Sequence, residues 1–157
     1  MRVVIGLGTN LGDRLATMRE AVRRIATFAD VVSRSHVYET APIGPDQPDY
    51  LNAAVLVEWR GTALDLLDEL RRIEADLGRD REKEMRWGPR TMDLDMLWID
   101  GLVVDEPRLS VPHPRMHERA FALAPLLDVA PEATNPRTNE HYTLPDGQTV
   151  TRSNRSL

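Results

Sequence analysis

The order of apolar segments predicts an α+β domain of the ferredoxin-like, split β-α-β class: an antiparallel sheet with helices packed on one face, followed by a C-terminal helix and an irregular tail. Three observations carry this. Short apolar runs and helical stripes alternate as strand, helix, strand, strand, helix, strand. A length of 157 residues suits one domain and is short for two. With 41% hydrophobic and 29% charged residues, the composition is that of a globular chain, neither disordered nor fibrous.

Val3 to Leu7 reads as a short buried strand, and the Gly/Asn turn at Gly8, Thr9, Asn10 and Gly12 leads into a helix with Leu15, Met18, Val22 and Ile25 on one face. Val31 to Thr40 is rich in β-branched residues and Leu51 to Trp59 is again strand-like. Two strands therefore flank the loop Pro42 to Asp49, which carries three prolines and a glycine. Thr62 suits an N-cap with Asp65 three residues on, Leu66, Leu70, Ile73 and Leu77 form the stripe of a second helix, and Gly78 stops it. Asp93 to Ile99 is the next strand. A small hairpin follows around Val103 and Leu109, and Glu118 to Val129 makes a last helix bent at Pro125. Residues 1–130 are thus expected to form the one domain. Beyond Pro131 the chain is polar and broken by Pro136, Pro145 and Gly147, so 131–157 is expected to be an irregular extension with a turn at Pro145-Asp146-Gly147.

Charge bounds the partners. Lys plus Arg number 20 against 25 Asp plus Glu, a formal charge of -5 with a pI near 5.4, which argues against a nucleic-acid binder. No apolar run approaches the ~18 residues of a membrane span, the start MRVVIGLGTN lacks a signal core, and the absence of cysteine suits a reducing compartment. A cytoplasmic chain with no membrane partner is expected. Charge is nevertheless uneven: Arg79, Arg81, Lys83, Arg86 and Arg90 crowd one segment, and from Arg108 to Arg119 three arginines and two histidines face Glu118 alone. Two such islands on an acidic protein suit a confined anion such as a nucleotide triphosphate; the plainer alternative is two solvated loops.

The densest chemistry lies in Arg86-Trp87-Gly88-Pro89-Arg90-Thr91-Met92-Asp93-Leu94-Asp95-Met96-Leu97. Strand alternation puts Asp93 and Asp95 on one face, expected to continue with Leu97 and Ile99, and a short pair of hard carboxylate oxygens suits Mg²⁺ completed by substrate phosphates. An exposed strand face is the alternative. Trp87 among arginines offers a flat surface for a heteroaromatic ring, or else a core position. Asn52 interrupts an apolar strand and can read a heterocycle edge or satisfy backbone. His113, in Val111-Pro112-His113-Pro114, can donate to phosphate or stiffen its loop. Gly6, Gly8 and Gly12 make no dinucleotide fingerprint and no P-loop occurs, so phosphates would need the metal pair and the arginines.

Joined to Gly6-Leu7-Gly8-Thr9-Asn10-Leu11-Gly12, Tyr38-Glu39-Thr40-Ala41-Pro42, Tyr50-Leu51-Asn52-Ala53, Val111-Pro112-His113-Pro114-Arg115-Met116 and Arg119-Ala120-Phe121, that signature resembles the 6-hydroxymethyl-7,8-dihydropterin pyrophosphokinase family. The resemblance implies transfer of the diphosphate of ATP to the pterin hydroxymethyl group, leaving AMP, in folate biosynthesis. It implies that Asp93 and Asp95 ligate two Mg²⁺ ions and act with Arg79, Arg81 and Arg90 in catalysis. ATP would be met by Glu74, Arg81, Trp87, Arg90, Met96, Ser110, His113 and Arg119, and the pterin by Thr40, Ala41, Pro42, Ile43, Tyr50, Asn52, Trp87 and Phe121. No general base is expected, and the loops Pro42 to Asp49 and Arg79 to Arg90 would close over the nucleotide. Ala41, where many members have proline, and Arg71, where many have a neutral polar residue, depart from the family pattern. A monomer is expected, a dimer being the alternative. The rival activity is a metal-dependent nucleotide phosphohydrolase built on the same carboxylates; an RNA-recognition module would need a basic surface and more aromatics than 5%.

Overall fold

The computed structural model describes residues 1–10, 12–41, 48–78 and 92–157. In order come β1 (Arg2–Thr9), α1 (Arg14–Ile25), β2 (Asp30–Arg34), β3 (Tyr38–Thr40), β4 (Tyr50–Glu58), α2 (Ala63–Asp76) and β5 (Asp93–Ile99). The hairpin β6 (Val104–Glu106) and β7 (Leu109–Val111), a 3-10 turn at Met116–Glu118, α3 (Ala120–Val129) and β8 (Thr151–Arg152) follow. The sheet runs β5-β1-β4-β3-β8 with β2 also on β4, every pairing antiparallel. With β4 inserted between β1 and the β2/β3 pair, this is the expected ferredoxin-like arrangement. The helix starts follow their capping residues: Asp13 accepts from the Ala16 N–H and Thr62 from the Asp65 N–H, both at 3.1 Å. Gly78, with φ +97°, turns the chain out of α2.

Strand alternation gives the sheet two apolar faces. Val3, Ile5, Leu7, Leu51, Val55, Leu94 and Met96 turn to Met18 and Ile25 of α1 and to Leu66 and Leu70 of α2, forming a first core. Val4, Ala54, Leu56, Leu97 and Trp98 turn the other way, to Leu123, Leu126 and Val129 of α3. The one-face expectation therefore holds for α1 and α2, while α3 covers the opposite face. Ala120, Leu123, Ala124, Leu126 and Val129 are all buried, and a helix apolar nearly all round announces burial without saying against which face.

Two strands differ from their expected form. The stretch Val31 to Thr40 divides in two at Ser35, whose N–H donates to the Ala54 carbonyl at 2.9 Å while its Oγ accepts from the Ala54 N–H at 2.8 Å. A side chain there replaces a backbone partner. In β5, Val4 pairs with Trp98 and Ile5 with Met96, so Leu97 is an extra residue, a β-bulge. It breaks the alternation: Leu97 shares the face of Asp93 and Asp95 as expected, but Ile99 lies in the first core.

Residues 131–157 turn at Asp146-Gly147, where Gly147 takes φ +79°. They also contribute Ala133 and Tyr142 to the second core and β8 to the edge of β3, where the Ser153 N–H donates to the Val37 carbonyl at 2.7 Å. Among the described residues no helix is long and apolar enough to cross a membrane.

Candidate active site

Strand register lays the candidate residues in rows on the α3 side of the sheet. Asp93 faces Gly8 on β1, Gly8 faces Asn52 on β4, and Asn52 faces Tyr38 on β3. One step along, Asp95 faces Gly6 and Gly6 faces Ala54. Each aspartate thus has a glycine beside it. A Cβ on Gly8 would stand 3.3 Å from Asn52 Oδ1, and one on Gly6 only 2.9 Å from Leu97 Cδ1, so the floor between the acids and Asn52 stays open because β1 carries no side chains there.

β5 is an edge strand, and between the two aspartates its outer edge is held by α2. The Leu94 N–H donates to Glu74 Oε2 at 2.9 Å, and its carbonyl accepts from Arg71 Nη1 at 3.1 Å. Arg71 in turn bonds Glu74 Oε1 at 2.9 Å. Two side chains stand in for a missing strand partner and fix the backbone from which the half-buried Asp93 and Asp95 project.

His113 and Arg119 come in from the chain after β7. The His113 N–H donates to the Leu97 carbonyl at 3.0 Å, tying that segment to β5. Burial lowers the pKa of His113, the Arg119 charge lowers it further, and Asp93 opposes both. Burial also lowers Arg119, with Arg115, against the pull of Asp95, Glu118 and Asp93; it remains a cation. Arg119 thus lies within electrostatic reach of both carboxylates, and its Cζ stands 5.7 Å from the centroid of the Phe121 ring.

At the other end of the row, Asn52 is 8% exposed and donates through Nδ2 to Thr40 Oγ1 at 2.7 Å, which leaves Oδ1 over Gly8. Tyr50 pairs with Thr40. Pro48 and Asp49, just before β4, are pinned: Asn10 Nδ2 donates to the Pro48 carbonyl at 3.1 Å and Arg14 Nη1 to the Asp49 carbonyl at 2.9 Å.

The fold therefore gathers Asp93, Asp95, His113, Arg119, Phe121, Asn52, Thr40 and Tyr50 on one side of the sheet. Ala41 is exposed just past β3. Met96 points into the first core, on the face opposite the aspartates, and Ser110 is exposed in the hairpin opposite Asp105. Glu74, 2% exposed, lies behind β5. Arg79, Arg81, Lys83, Arg86, Trp87, Arg90, Pro42 and Ile43 fall outside the described residues. Sequence reasoning passed over Gly6 and Gly8 as structural parts of the site. Their spacing of two, matching that of the aspartates, was the available signal.

For a cation, two carboxylates on one strand face are the protein's offer; no group of three or more ligating side chains occurs among the described residues. That donor set fits Mg²⁺, which takes few protein ligands and fills its shell with water and phosphate oxygens.

A family model described as 7,8-dihydro-6-hydroxymethylpterin-pyrophosphokinase matches residues 4–131. The chain is 43% identical over 143 residues to a Bacillus subtilis protein named 2-amino-4-hydroxy-6-hydroxymethyldihydropteridine pyrophosphokinase, covering 87% of this chain and 84% of that one. A Methylorubrum extorquens protein of the same name is 45% identical over 134 residues, covering 83% and 84%. A solved Plasmodium falciparum HPPK-DHPS chain superposes with a TM-score of 0.69 at 15% identity, over 90% of this chain and 40% of the other, and shows a shared fold.

Proposed function

This chain belongs to the 7,8-dihydro-6-hydroxymethylpterin-pyrophosphokinase family, and we propose from that premise which of its residues carry the reaction. The reaction is transfer of a diphosphate group from ATP to the hydroxymethyl group of 6-hydroxymethyl-7,8-dihydropterin, in folate biosynthesis. The observation that supports the residue assignment best is the row Asp93, Gly8, Asn52. It places an acidic pole and a polar amide two strands apart, ~10 Å at the usual strand spacing, across a floor without side chains.

The pterin lies at the Asn52 end. Asn52 Oδ1 and the Thr40 hydroxyl meet its polar edge while Tyr50 and Phe121 supply apolar faces, with Trp87, Ala41, Pro42 and Ile43 assigned by family resemblance. The triphosphate lies at the other end, against Arg119 and His113, joined by Arg79, Arg81 and Arg90 and flanked by Ser110 and the backbone at Met96. Asp93 and Asp95 would hold Mg²⁺, two ions being expected. Bound there, the metal would neutralise phosphate charge and orient the diphosphate.

The pterin hydroxymethyl oxygen attacks the β-phosphorus as the bond to the α,β-bridging oxygen breaks; AMP departs with that oxygen, and the hydroxyl proton passes to solvent. Positioning and fixed positive charge carry the acceleration, since a loose transition state asks little of a protein base. His113 donates a hydrogen bond to a phosphate oxygen, and Arg119 supplies charge that is in place before the oxygens need it. We place the enzyme in the cytoplasm, a reducing compartment that its cysteine-free composition suits, and take it as a monomer.

The test is a chromatographic assay of AMP and pterin diphosphate with ATP, Mg²⁺ and reduced hydroxymethylpterin. AMP should form in equal amount to the pterin diphosphate and only with the acceptor present. Phosphate or pyrophosphate released without the pterin would favour a hydrolase, for which nothing in the fold or the relatives named above speaks.

A further inference from the structure

Helix α3 begins without a cap of its own. Arg119 precedes its first turn and makes no side-chain bond to it, although N-terminal amides need an acceptor. The acceptor arrives from far along the chain: Gln148 Oε1 accepts from the Ala120 N–H at 2.9 Å, and Gln148 Nε2 donates to the Glu118 carbonyl. One primary amide thus grips the backbone on both sides of Arg119, at the junction between the 3-10 turn and α3 where Arg119 itself is extended (φ -125°, ψ 100°). Gln148 follows the Asp146-Gly147 turn and lies outside the span of the family match, which ends at residue 131. Three residues on, the chain is fixed again, where β8 pairs with β3.

We propose that Gln148 is a positioning residue that aims Arg119 and Phe121, making the C-terminal extension a working part of the catalytic site. This role rests on the assignment of Arg119 to phosphate and Phe121 to pterin. Arg119 approaches Asp93 and Asp95 from a backbone joint between two helical turns, and a rotation at that joint swings the guanidinium and the following aromatic ring together. Gln148 closes the joint from outside with an acceptor for one flanking group and a donor for the other. Its side chain is exposed, so its removal takes little from the core.

The test compares Gln148→Ala, Gln148→Glu and Arg119→Ala in the full chain by steady-state kinetics, thermal melting and amide hydrogen exchange at Ala120. In Gln148→Ala, kcat/KM for ATP should fall about tenfold, chiefly through KM, with an unchanged melting temperature and faster exchange at Ala120. Gln148→Glu keeps the acceptor and loses the donor, so it should restore protection at Ala120 and part of the ATP affinity. Unchanged kinetics in Gln148→Ala beside an impaired Arg119→Ala would overturn the inference and leave the Arg119 assignment standing. Full ATP affinity in Arg119→Ala would overturn both. Parallel loss of melting temperature and activity in both Gln148 variants would reduce Gln148 to a stability element and overturn the inference too.

Discussion

Asp93 and Asp95 are half-buried acids that project from a strand onto a floor of glycines, so they add little to packing. Asp93→Ala or Asp95→Ala is therefore expected to leave the melting curve nearly unchanged and to lower turnover by about a hundredfold or more, checked by circular dichroism beside the AMP assay. Tyr142 is the opposite case, a residue whose polar atom does nothing for the fold. Its hydroxyl is buried with no hydrogen-bond partner among the described residues, and burial pushes its pKa from 10.0 up to about 12. A folded value above the unfolded one gives stability that is whole below pH 10 and is lost as pH climbs from 10 to 12. Tyr142→Phe should be neutral or stabilising by up to about 1 kcal/mol at pH 7 and should flatten that alkaline decline. Urea melts at pH 7 and pH 11 decide it; a clear loss at pH 7 would mean the hydroxyl is bonded after all.

Among the elements, β5 shows how much of a site depends on what supports it. Its carboxylates were legible from alternation alone, because Asp93 and Asp95 are two apart in an apolar strand. The support was not, since the Glu74 and Arg71 bonds to Leu94 join residues about twenty positions apart, and no local pattern announces such a pairing. Glu74→Ala strips the Leu94 N–H of an acceptor and leaves Arg71 without its buried partner. It should cost about 2 kcal/mol, read by urea unfolding, while Glu74→Gln, which keeps an oxygen for the Leu94 N–H, should cost less than about 1 kcal/mol. Equal losses would deny that hydrogen bond its importance. The cap at Thr62 shows what sequence does reveal: with Asp65 it marked the start of α2 to the residue, because a cap is a contact between near neighbours. The division at Ser35 and the bulge at Leu97 escaped notice because each is set by the strand across the sheet.

The molecule as a whole is one sheet between two cores, and neither core exists without it. Trp59 packs against the first core, edge-on to Phe28 with ring centroids 5.8 Å apart, while Trp98 sits in the second and donates to the Thr134 carbonyl at 2.8 Å. Single-tryptophan variants reporting from the two faces should unfold at the same denaturant concentration, and Leu126→Ala, which empties part of the second core, should lower both transitions by about 3 kcal/mol. Separate midpoints would mean that the α3 face melts by itself. The sheet order and the two first-face helices followed from periodicity. The covering of the second face did not, because it depends on α3 and on residues beyond Pro131 whose polar sequence hides Ala133 and Tyr142. The slip at Leu97 bears on how such a chain can diverge. It lies after Asp95, so the acid pair keeps its direction from its own register against Gly6 and Gly8 of β1. Deleting Trp98, the one residue between Leu97 and Ile99, would exchange inside for outside along half the strand.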